Sequence, residues 1–240
     1  MCLKTGMILT VMCFFATAQG EEGNDAPENS ETQKSHRFIK AELAVTPLAL
    51  DSPSMEQTIG TAFFISESGL MMTTGHSIQR NEAGEIRPLF VLVNSETNGA
   101  VFRPVQVVKI FGDGKEGRDL ALLQIERKSP EEKFPYLELG EPVLTNEEIV
   151  VVGYPLVFDR VYRWPLFRWG RVASDRYHLR ESKVYVLDMT SAPGFSGSPI
   201  LRTDNGKVVA ILKGRVVGNE KANFSTATEL TEADFLGLLR

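Results

Sequence analysis

Gly60-Thr61-Ala62-Phe63-Phe64-Ile65-Ser66-Glu67-Ser68-Gly69-Leu70-Met71-Met72-Thr73-Thr74-Gly75-His76-Ser77-Ile78 holds two short apolar runs, Thr61–Ser66 and Leu70–Thr74, on either side of a Glu67-Ser68-Gly69 turn. Runs of this length, bounded by turn formers and carrying aromatic and β-branched residues, read as paired strands. The pattern continues outward through Leu89–Asn94, Val105–Ile110, Leu120–Ile125, Ile149–Gly153, Lys183–Leu187, Val208–Leu212 and Asn223–Thr228. Between them lie turn signals such as Asn81-Glu82-Ala83-Gly84, Gly112-Asp113-Gly114 and Asp204-Asn205-Gly206. With no alternation of strand and helix and no internal repeat, the chain reads as all-β and mostly antiparallel. Arg37–Arg240 is long enough for one double-layered unit or two small barrels, and a chain of this size buries roughly 70% of its unfolded surface.

Two stretches break the pattern. At the end of the chain Thr231 can cap a short helix over Glu232–Leu239, with Phe235, Leu238 and Leu239 on one face. In the middle, Glu126–Thr145 is polar and holds three prolines, which suits a linker between two halves.

The 240 residues are 42% hydrophobic and 24% charged, the composition of a soluble globular protein rather than a coiled coil, a collagen or a disordered chain. A formal charge of −5 leaves no basic surplus to neutralise phosphates, which argues against nucleic acid as a main partner. Residues 1–18, MCLKTGMILTVMCFFATA, have the form of an export signal: Lys4, an apolar run from Met7 to Phe15, then Ala16-Thr17-Ala18 as a cleavage site. No later stretch approaches the roughly 20 apolar residues of a bilayer-spanning helix, so the processed protein is expected to be exported, periplasmic or secreted, without an integral membrane segment. Both cysteines, Cys2 and Cys13, fall within the signal, which removes disulfides, thiolate zinc sites and a Cys nucleophile; no cofactor and no metal are expected. A lipid anchor on Cys13 is the weaker alternative, because bulky Met12 precedes it. Residues 19–36 form an acidic stretch without large apolar side chains, expected to be a disordered tail.

Three segments carry chemistry. His76 closes the stretch quoted first; Asp119 opens Asp119-Leu120-Ala121-Leu122-Leu123-Gln124-Ile125; Ser196 lies within Ser191-Ala192-Pro193-Gly194-Phe195-Ser196-Gly197-Ser198-Pro199-Ile200. A serine hydroxyl is a weak nucleophile until a base takes its proton, and an imidazole base needs an anion to fix its tautomer and stabilise its protonated form. Ser196 would attack, His76 would carry the proton and Asp119 would orient His76. His36 and His178 lie in polar surroundings, and of the competing acids Asp113, Asp159 and Asp188 none opens a strand.

With these segments in this order the chain resembles the trypsin-like (chymotrypsin-fold) serine peptidases, and most of all the bacterial exported high-temperature-requirement type without a PDZ domain. The resemblance covers residues from about 45 to 228. It implies two packed antiparallel β-barrels of the chymotrypsin type with a short C-terminal helix: an N-terminal barrel over 37–130, a linker over 131–145, and a C-terminal barrel with the helix over 146–240. It implies an active site in the crevice between them, with the Gly194 and Ser196 amides as the oxyanion hole. Gly75, Phe195 and Ser198 depart from the family pattern, where Ala, Asp or Asn, and Gly are usual. Without an acid at 195, activation by a new N-terminal amine pairing with that acid cannot operate.

The resemblance also places Thr190 at the floor of the primary specificity pocket and Lys213, Gly214 and Arg215 along its wall, with Asn223–Ser225 behind. No acid lies at the floor, so a small or medium apolar side chain is expected there, with an acidic one, drawn by Lys213 and Arg215, as the alternative. The Lys213–Arg215 backbone would pair with an extended polypeptide substrate. The expected function is therefore that of an exported serine endopeptidase working through an acyl-enzyme. The alternatives are a catalytically silent peptide-binding module of the same fold, and an α/β-hydrolase esterase, which would need a helix directly after Ser196 where Pro199-Ile200-Leu201 reads as strand. The oligomeric state is open, and a regulatory peptide-binding domain is not expected before the end at Arg240. One segment stays unassigned: Asp159–Arg171 interleaves arginines with aromatics and holds both tryptophans. It reads either as a strand with exposed Arg stems or as a surface for a partner, a membrane or a substrate.

Overall fold

The structure is a computed structural model that describes residues 38–95, 99–113, 118–157, 160–161, 164–179, 182–215 and 223–231. The export signal, the acidic tail and the helix expected over Glu232–Leu239 lie outside the described residues.

The strands close into two antiparallel barrels. The first takes β1 (Val45–Leu50), β2 (Thr58–Phe64), β3 (Leu70–Thr73), β4 (Leu89–Ser95), β5 (Gly99–Asp113) and β6 (Asp119–Ile125), in the order β1-β2-β3-β6-β5-β4. Apart from them lies a two-stranded ribbon, β8 (Leu156–Val157) and β9 (Arg160–Val161). The second barrel takes β7 (Glu148–Gly153), β10 (Leu166–Leu179), β11 (Ser182–Asp188), β12 (Pro199–Arg202), β13 (Val208–Arg215) and β14 (Phe224–Glu229), in the order β10-β11-β14-β13-β12-β7. This is the all-β, two-barrel architecture expected of the chymotrypsin fold. Closure leaves neither sheet with a free edge, which suits strands this short.

Each barrel fills with the inward residues of its own strands. Leu48, Phe64, Met71, Val91, Leu123 and Ile125 pack in the first; Ile149, Val151, Tyr185, Leu187, Ile200 and Leu212 pack in the second. A third apolar cluster, including Phe63, Met72, Leu120, Val150, Val152 and Ile211, joins the outward faces of both. The barrels are thus fixed to each other by buried apolar surface, which holds residues from distant parts of the sequence in register. The polar linker is drawn in as well. Phe134 stacks on Phe64 with ring centroids 4.8 Å apart, and Arg103, 9% exposed, holds Glu132 at 2.6 Å. The Leu137 amide bonds Phe64 O at 2.9 Å in the first barrel, while Gly140 and Glu138 exchange backbone bonds with Val208 at 2.8 Å in the second.

Among the elements that escaped the sequence reading, two lie at the start of the described chain. Residues 38–44 are helical, with Ala41 and Ala44 buried in the inter-barrel cluster and Phe38 against it. No turn former separates Ala44 from Val45, so helix and strand read as one continuous run. β1 was hidden by Pro47, since proline withholds a ladder donor. Beside Pro47 the Thr46 hydroxyl takes over the pairing with β4, accepting from Leu92 N at 2.9 Å and donating to Leu92 O at 2.7 Å.

Candidate active site

His76 sits on a single 3-10 turn, Gly75–Ser77, directly after β3, and Asp119 is the first residue of β6, the strand that pairs with β3. The pairing brings the two together. His76 Nδ1 lies 2.6 Å from Asp119 Oδ2, and the other carboxylate oxygen accepts the His76 backbone N–H at 2.9 Å. Asp119 is 1% exposed while the His76 side chain is 39% exposed, so one buried anion holds both the ring and the backbone of a histidine whose far edge reaches solvent. The carboxylate fixes the tautomer: Nδ1 carries the proton and Nε2 is left as the base.

Gly75 has a steric reason. A Cβ there would run into the carbonyl oxygen of Gly112, at the base of the β5–β6 hairpin. The hairpin that delivers Asp119 therefore presses directly against the turn that carries His76, and only glycine leaves room.

Ser196 comes from the second barrel, on the tight turns between Thr190 and β12. Gly194 has φ +89° and Gly197 φ +87°, backbone states that glycine reaches without strain. The Leu156 amide donates to Pro193 O at 2.8 Å. In a trans peptide the N–H points opposite to the C=O, so this bond turns the Gly194 amide away from Leu156. Among the described residues neither the Gly194 nor the Ser196 amide donates a hydrogen bond. Two neighbouring amides without acceptors are what an anion-binding hollow requires.

The two halves meet at Thr61 of β2, which is fully buried. Its amide donates to Ser196 O at 2.8 Å and its hydroxyl to Gly194 O at 2.8 Å, while the hydroxyl accepts the Tyr154 amide at 3.0 Å. Thr73 in turn donates its hydroxyl to Thr61 O at 2.8 Å. Gly60 approaches the same loop: a Cβ on it would lie 2.9 Å from Ser196 O and 3.4 Å from Ser77 Oγ. The backbone of Ser196 and the residue after His76 thus flank one glycine. The Ser196 hydroxyl itself donates to Lys213 O at 3.0 Å, and among the described residues no hydrogen bond joins it to His76. The expected Ser196–His76 bond is not made in this arrangement.

Residues 60–211, which carry His76, Asp119, Ser196 and Thr61, match the trypsin-like peptidase domain. The chain belongs to that family. It is 27% identical over 198 residues, 80% of its length, to a probable periplasmic serine endoprotease DegP-like of Marinomonas sp. (strain MWYL1), and 26% identical over 156 residues to serine protease HTRA1 of Xenopus laevis. It spans 37% and 30% of the lengths of these two relatives. Among solved structures it resembles the MamO protease domain of Magnetospirillum magneticum, with TM-score 0.63, 20% identity and coverage of 85% of this chain and 98% of that one. It also resembles the HtrA-type protease AlgW with tripeptide, with TM-score 0.58, 21% identity and coverage of 82% and 59%. At these identities the structural likeness is one of fold.

Within this trypsin-like domain the segments expected to form the specificity pocket converge. Thr190 Oγ1 lies 3.4 Å from Asn223 Oδ1, the Ser191 amide donates to Ser225 Oγ at 2.9 Å, and Gly214 and Arg215 pair with Thr226 and Ser225. β12 pairs with residues 208–211 of β13, and among the described residues the strand partner recorded for Gly214 and Arg215 is β14. Phe195, at the position where the family usually has an acid, is 3% exposed and packed in the core of the second barrel. A strand follows Ser196, Pro199–Arg202, in place of the helix an α/β-hydrolase requires. His178 is exposed on β10, where it pairs with Lys183, and its ring Nδ1 lies 3.2 Å from the Arg176 carbonyl. Among the described residues no group of His, Cys, Asp and Glu could hold a metal ion, and no helix is long and apolar enough to cross a membrane.

Sequence reasoning missed Thr61 and Leu156. Thr61 reads as an ordinary strand threonine, and the Leu156 contribution is a backbone N–H that no residue type announces.

Proposed function

We propose that the chain is an exported serine endopeptidase that cleaves extended polypeptides through an acyl-enzyme, with His76, Asp119 and Ser196 as its triad. The observation that carries this reading is the doubly bonded His76–Asp119 pair, next to a glycine, Gly60, that the Ser196 carbonyl and the Ser77 hydroxyl both approach.

In the first step Ser196 Oγ bonds to the substrate carbonyl carbon as its proton passes to His76 Nε2. The carbonyl π electrons move to oxygen, and the Gly194 and Ser196 amides take the resulting oxyanion; one such donor is typically worth about 3–4 kcal/mol in the transition state. Collapse expels the amine, which takes the proton from His76 and leaves an acyl-Ser196 ester. Water then repeats the sequence, its proton passing through His76 back to Ser196. Asp119 stays ionised throughout and stabilises the imidazolium.

The hydroxyl must first leave Lys213 O for His76 Nε2, a rotation about the Ser196 Cα–Cβ bond between staggered wells. Lys213 O then loses the Ser196 donor and can accept from a substrate amide, and the Gly214–Arg215 stretch of β13 would take the substrate as an added strand. Thr190 at the pocket floor favours a small or medium apolar side chain, with an acidic one as the alternative offered by Lys213 and Arg215. Phe195 in an apolar core leaves no acid for a new N-terminal amine to pair with, so no activation of that kind is involved. Residues 1–18 would route the chain out of the cytoplasm, in keeping with a relative named as periplasmic.

The second reading, a silent peptide-binding module, draws on the Ser196 hydroxyl lying on Lys213 O rather than on His76. A fluorophosphonate probe separates the two. Covalent labelling of the folded protein that vanishes in Ser196→Ala and in His76→Ala is the result expected of the peptidase. Absence of labelling in protein with an intact thermal transition favours the binding module.

A further inference from the structure

The proposed peptidase function leaves two buried hydroxyls beside His76 without a task. Asp119 holds the ring and the backbone amide of His76, but the turn that carries the histidine is a single 3-10 turn. Two backbone bonds close it, from the Ser77 amide to Thr74 O at 3.3 Å and from the Ile78 amide to Gly75 O at 3.0 Å. Such turns have poor hydrogen-bond geometry, and residues three apart lie in line along them. Thr74 and Ser77 are three apart. Both residues are buried, and their hydroxyl oxygens lie 2.7 Å from each other, with either able to donate. Thr74 is the N-cap residue, but its hydroxyl makes no capping bond and goes to Ser77 instead.

The pair also lies close to the other half of the site. A Cβ on Gly60 would be 3.4 Å from Ser77 Oγ and 2.9 Å from Ser196 O. Gly60 precedes Thr61, which holds the Ser196 loop through its amide and its hydroxyl. Thr73, the residue before Thr74, donates its own hydroxyl to Thr61 O at 2.8 Å. Neighbouring threonines at the end of β3 thus serve both halves: Thr73 reaches the strand that holds Ser196, and Thr74 closes the turn that holds His76.

Stability does not call for the Thr74–Ser77 bond. A buried hydroxyl is tolerated when it is bonded, and replacing both partners of such a bond by apolar groups of the same shape is nearly neutral. Valine at 74 and alanine at 77 would keep nearly the same shape. What the hydroxyl bond adds is direction, because it fixes Ser77 relative to Thr74 and so limits how the turn between them can tilt. We infer that Thr74 and Ser77 are positioning residues for His76, their bond setting where the imidazole stands against the Ser196 loop. This role rests on the peptidase reading where turnover is concerned; the hold on the imidazole itself does not.

The deciding variant combines Thr74→Val with Ser77→Ala, which removes the bond and leaves neither hydroxyl buried without a partner. Parent, double variant and Thr74→Ser are compared as full chains by thermal transition, by the rate of fluorophosphonate labelling, and by kcat and KM on fluorescently labelled casein. The fourth measurement is the proton resonance of His76 Nδ1–H, which a charge-assisted bond as short as 2.6 Å shifts far downfield of ordinary amides. In the double variant the thermal midpoint should stay within a few degrees of the parent's and KM should hold. Labelling rate and kcat should fall about tenfold, part of the hundredfold that a misplacement of about 1 Å at a reacting group costs. The downfield resonance should broaden or move. Thr74→Ser, which keeps the hydroxyl, should match the parent in all four.

A double variant with the parent's labelling rate and an unchanged resonance overturns the inference and leaves the peptidase reading standing. One that melts far below the parent does the same, since the pair would then serve stability alone. A parent that takes no label ends the peptidase reading instead, and the resonance then decides: altered in the double variant it supports the hold on His76, and unchanged it overturns that as well.

Discussion

In the first barrel His76 and Asp119 stand on paired strands, and one carboxylate holds both the ring and the backbone of the histidine. In the second barrel Ser196 stands on a glycine-bounded loop, its hydroxyl rests on Lys213 O, and its carbonyl is held from the other barrel by Thr61. The proposed base is assembled by local strand pairing, whereas the proposed nucleophile is placed by contacts that cross between the barrels. A strand ladder fixes side chains at its ends to within a fraction of an ångström, and a loop gains the same precision only through bonds to something rigid. Thr61 supplies those bonds, so the accuracy of the second barrel's loop depends on the first barrel's β2.

The comparison breaks most sharply at its two chemical ends. Ser196→Ala should lower kcat by about six orders of magnitude, as loss of a triad nucleophile does, and Asp119→Asn by about four. Both should keep the parent's circular dichroism and thermal transition within a few degrees. Residual turnover of Ser196→Ala close to the parent's would end the assignment of the nucleophile.

A milder disturbance of the first barrel tests whether the base is held by packing. Gly75→Ala pushes the His76 turn away from the Gly112 carbonyl, and a displacement of about 1 Å at a reacting group costs on the order of a hundredfold in kcat. KM for a peptide substrate should change little. An alanine there that leaves kcat intact would mean that the hairpin yields and does not position the histidine.

The cross-barrel link is tested next by Thr61→Val, which keeps the shape and removes the hydroxyl. Gly194 O and the Tyr154 amide then lose their partner, each at about 1–3 kcal/mol when left unsatisfied. A lower unfolding temperature and a roughly tenfold loss in kcat are expected, because the oxyanion donors of the same loop lose their register. Thr61→Ser should restore most of both. If Thr61→Val unfolds earlier yet keeps its kcat, the residue serves stability alone.

The smallest effect has the opposite sign. Ser198 is fully buried and, among the described residues, its hydroxyl has no hydrogen-bond partner. Its oxygen fills the space over Gly153, where a Cβ would collide with it. Ser198→Ala removes an unsatisfied polar atom and should raise stability by up to about 1 kcal/mol, read as a higher midpoint in urea. A loss instead would reveal a partner for the hydroxyl.

Much of the second barrel was plain in the sequence because its strands are short apolar runs between turn residues; Ile149–Gly153 and Val208–Leu212 differ from β7 and β13 only at their ends. β1 was not, since Pro47 hides it and the Thr46 hydroxyl that compensates acts only once β4 lies alongside. The helical residues 38–44 run into β1 without a turn former, and Ala41 and Ala44 are held in the inter-barrel cluster.

For the site, the kinds of residue and their order along the chain were fixed by sequence: a histidine after a strand, an aspartate opening another, and a serine among glycines are local facts of composition. Tertiary structure alone decided that Asp119 takes both His76 groups, that Gly75 is there for the Gly112 carbonyl, that Leu156 turns the Pro193 peptide, and that Thr61 ties the Ser196 loop to the opposite barrel. Each of these depends on backbone groups that every residue carries alike, so no side-chain pattern can announce them. They come into being only when burial of the shared apolar cluster brings residues distant in sequence to hydrogen-bonding distance.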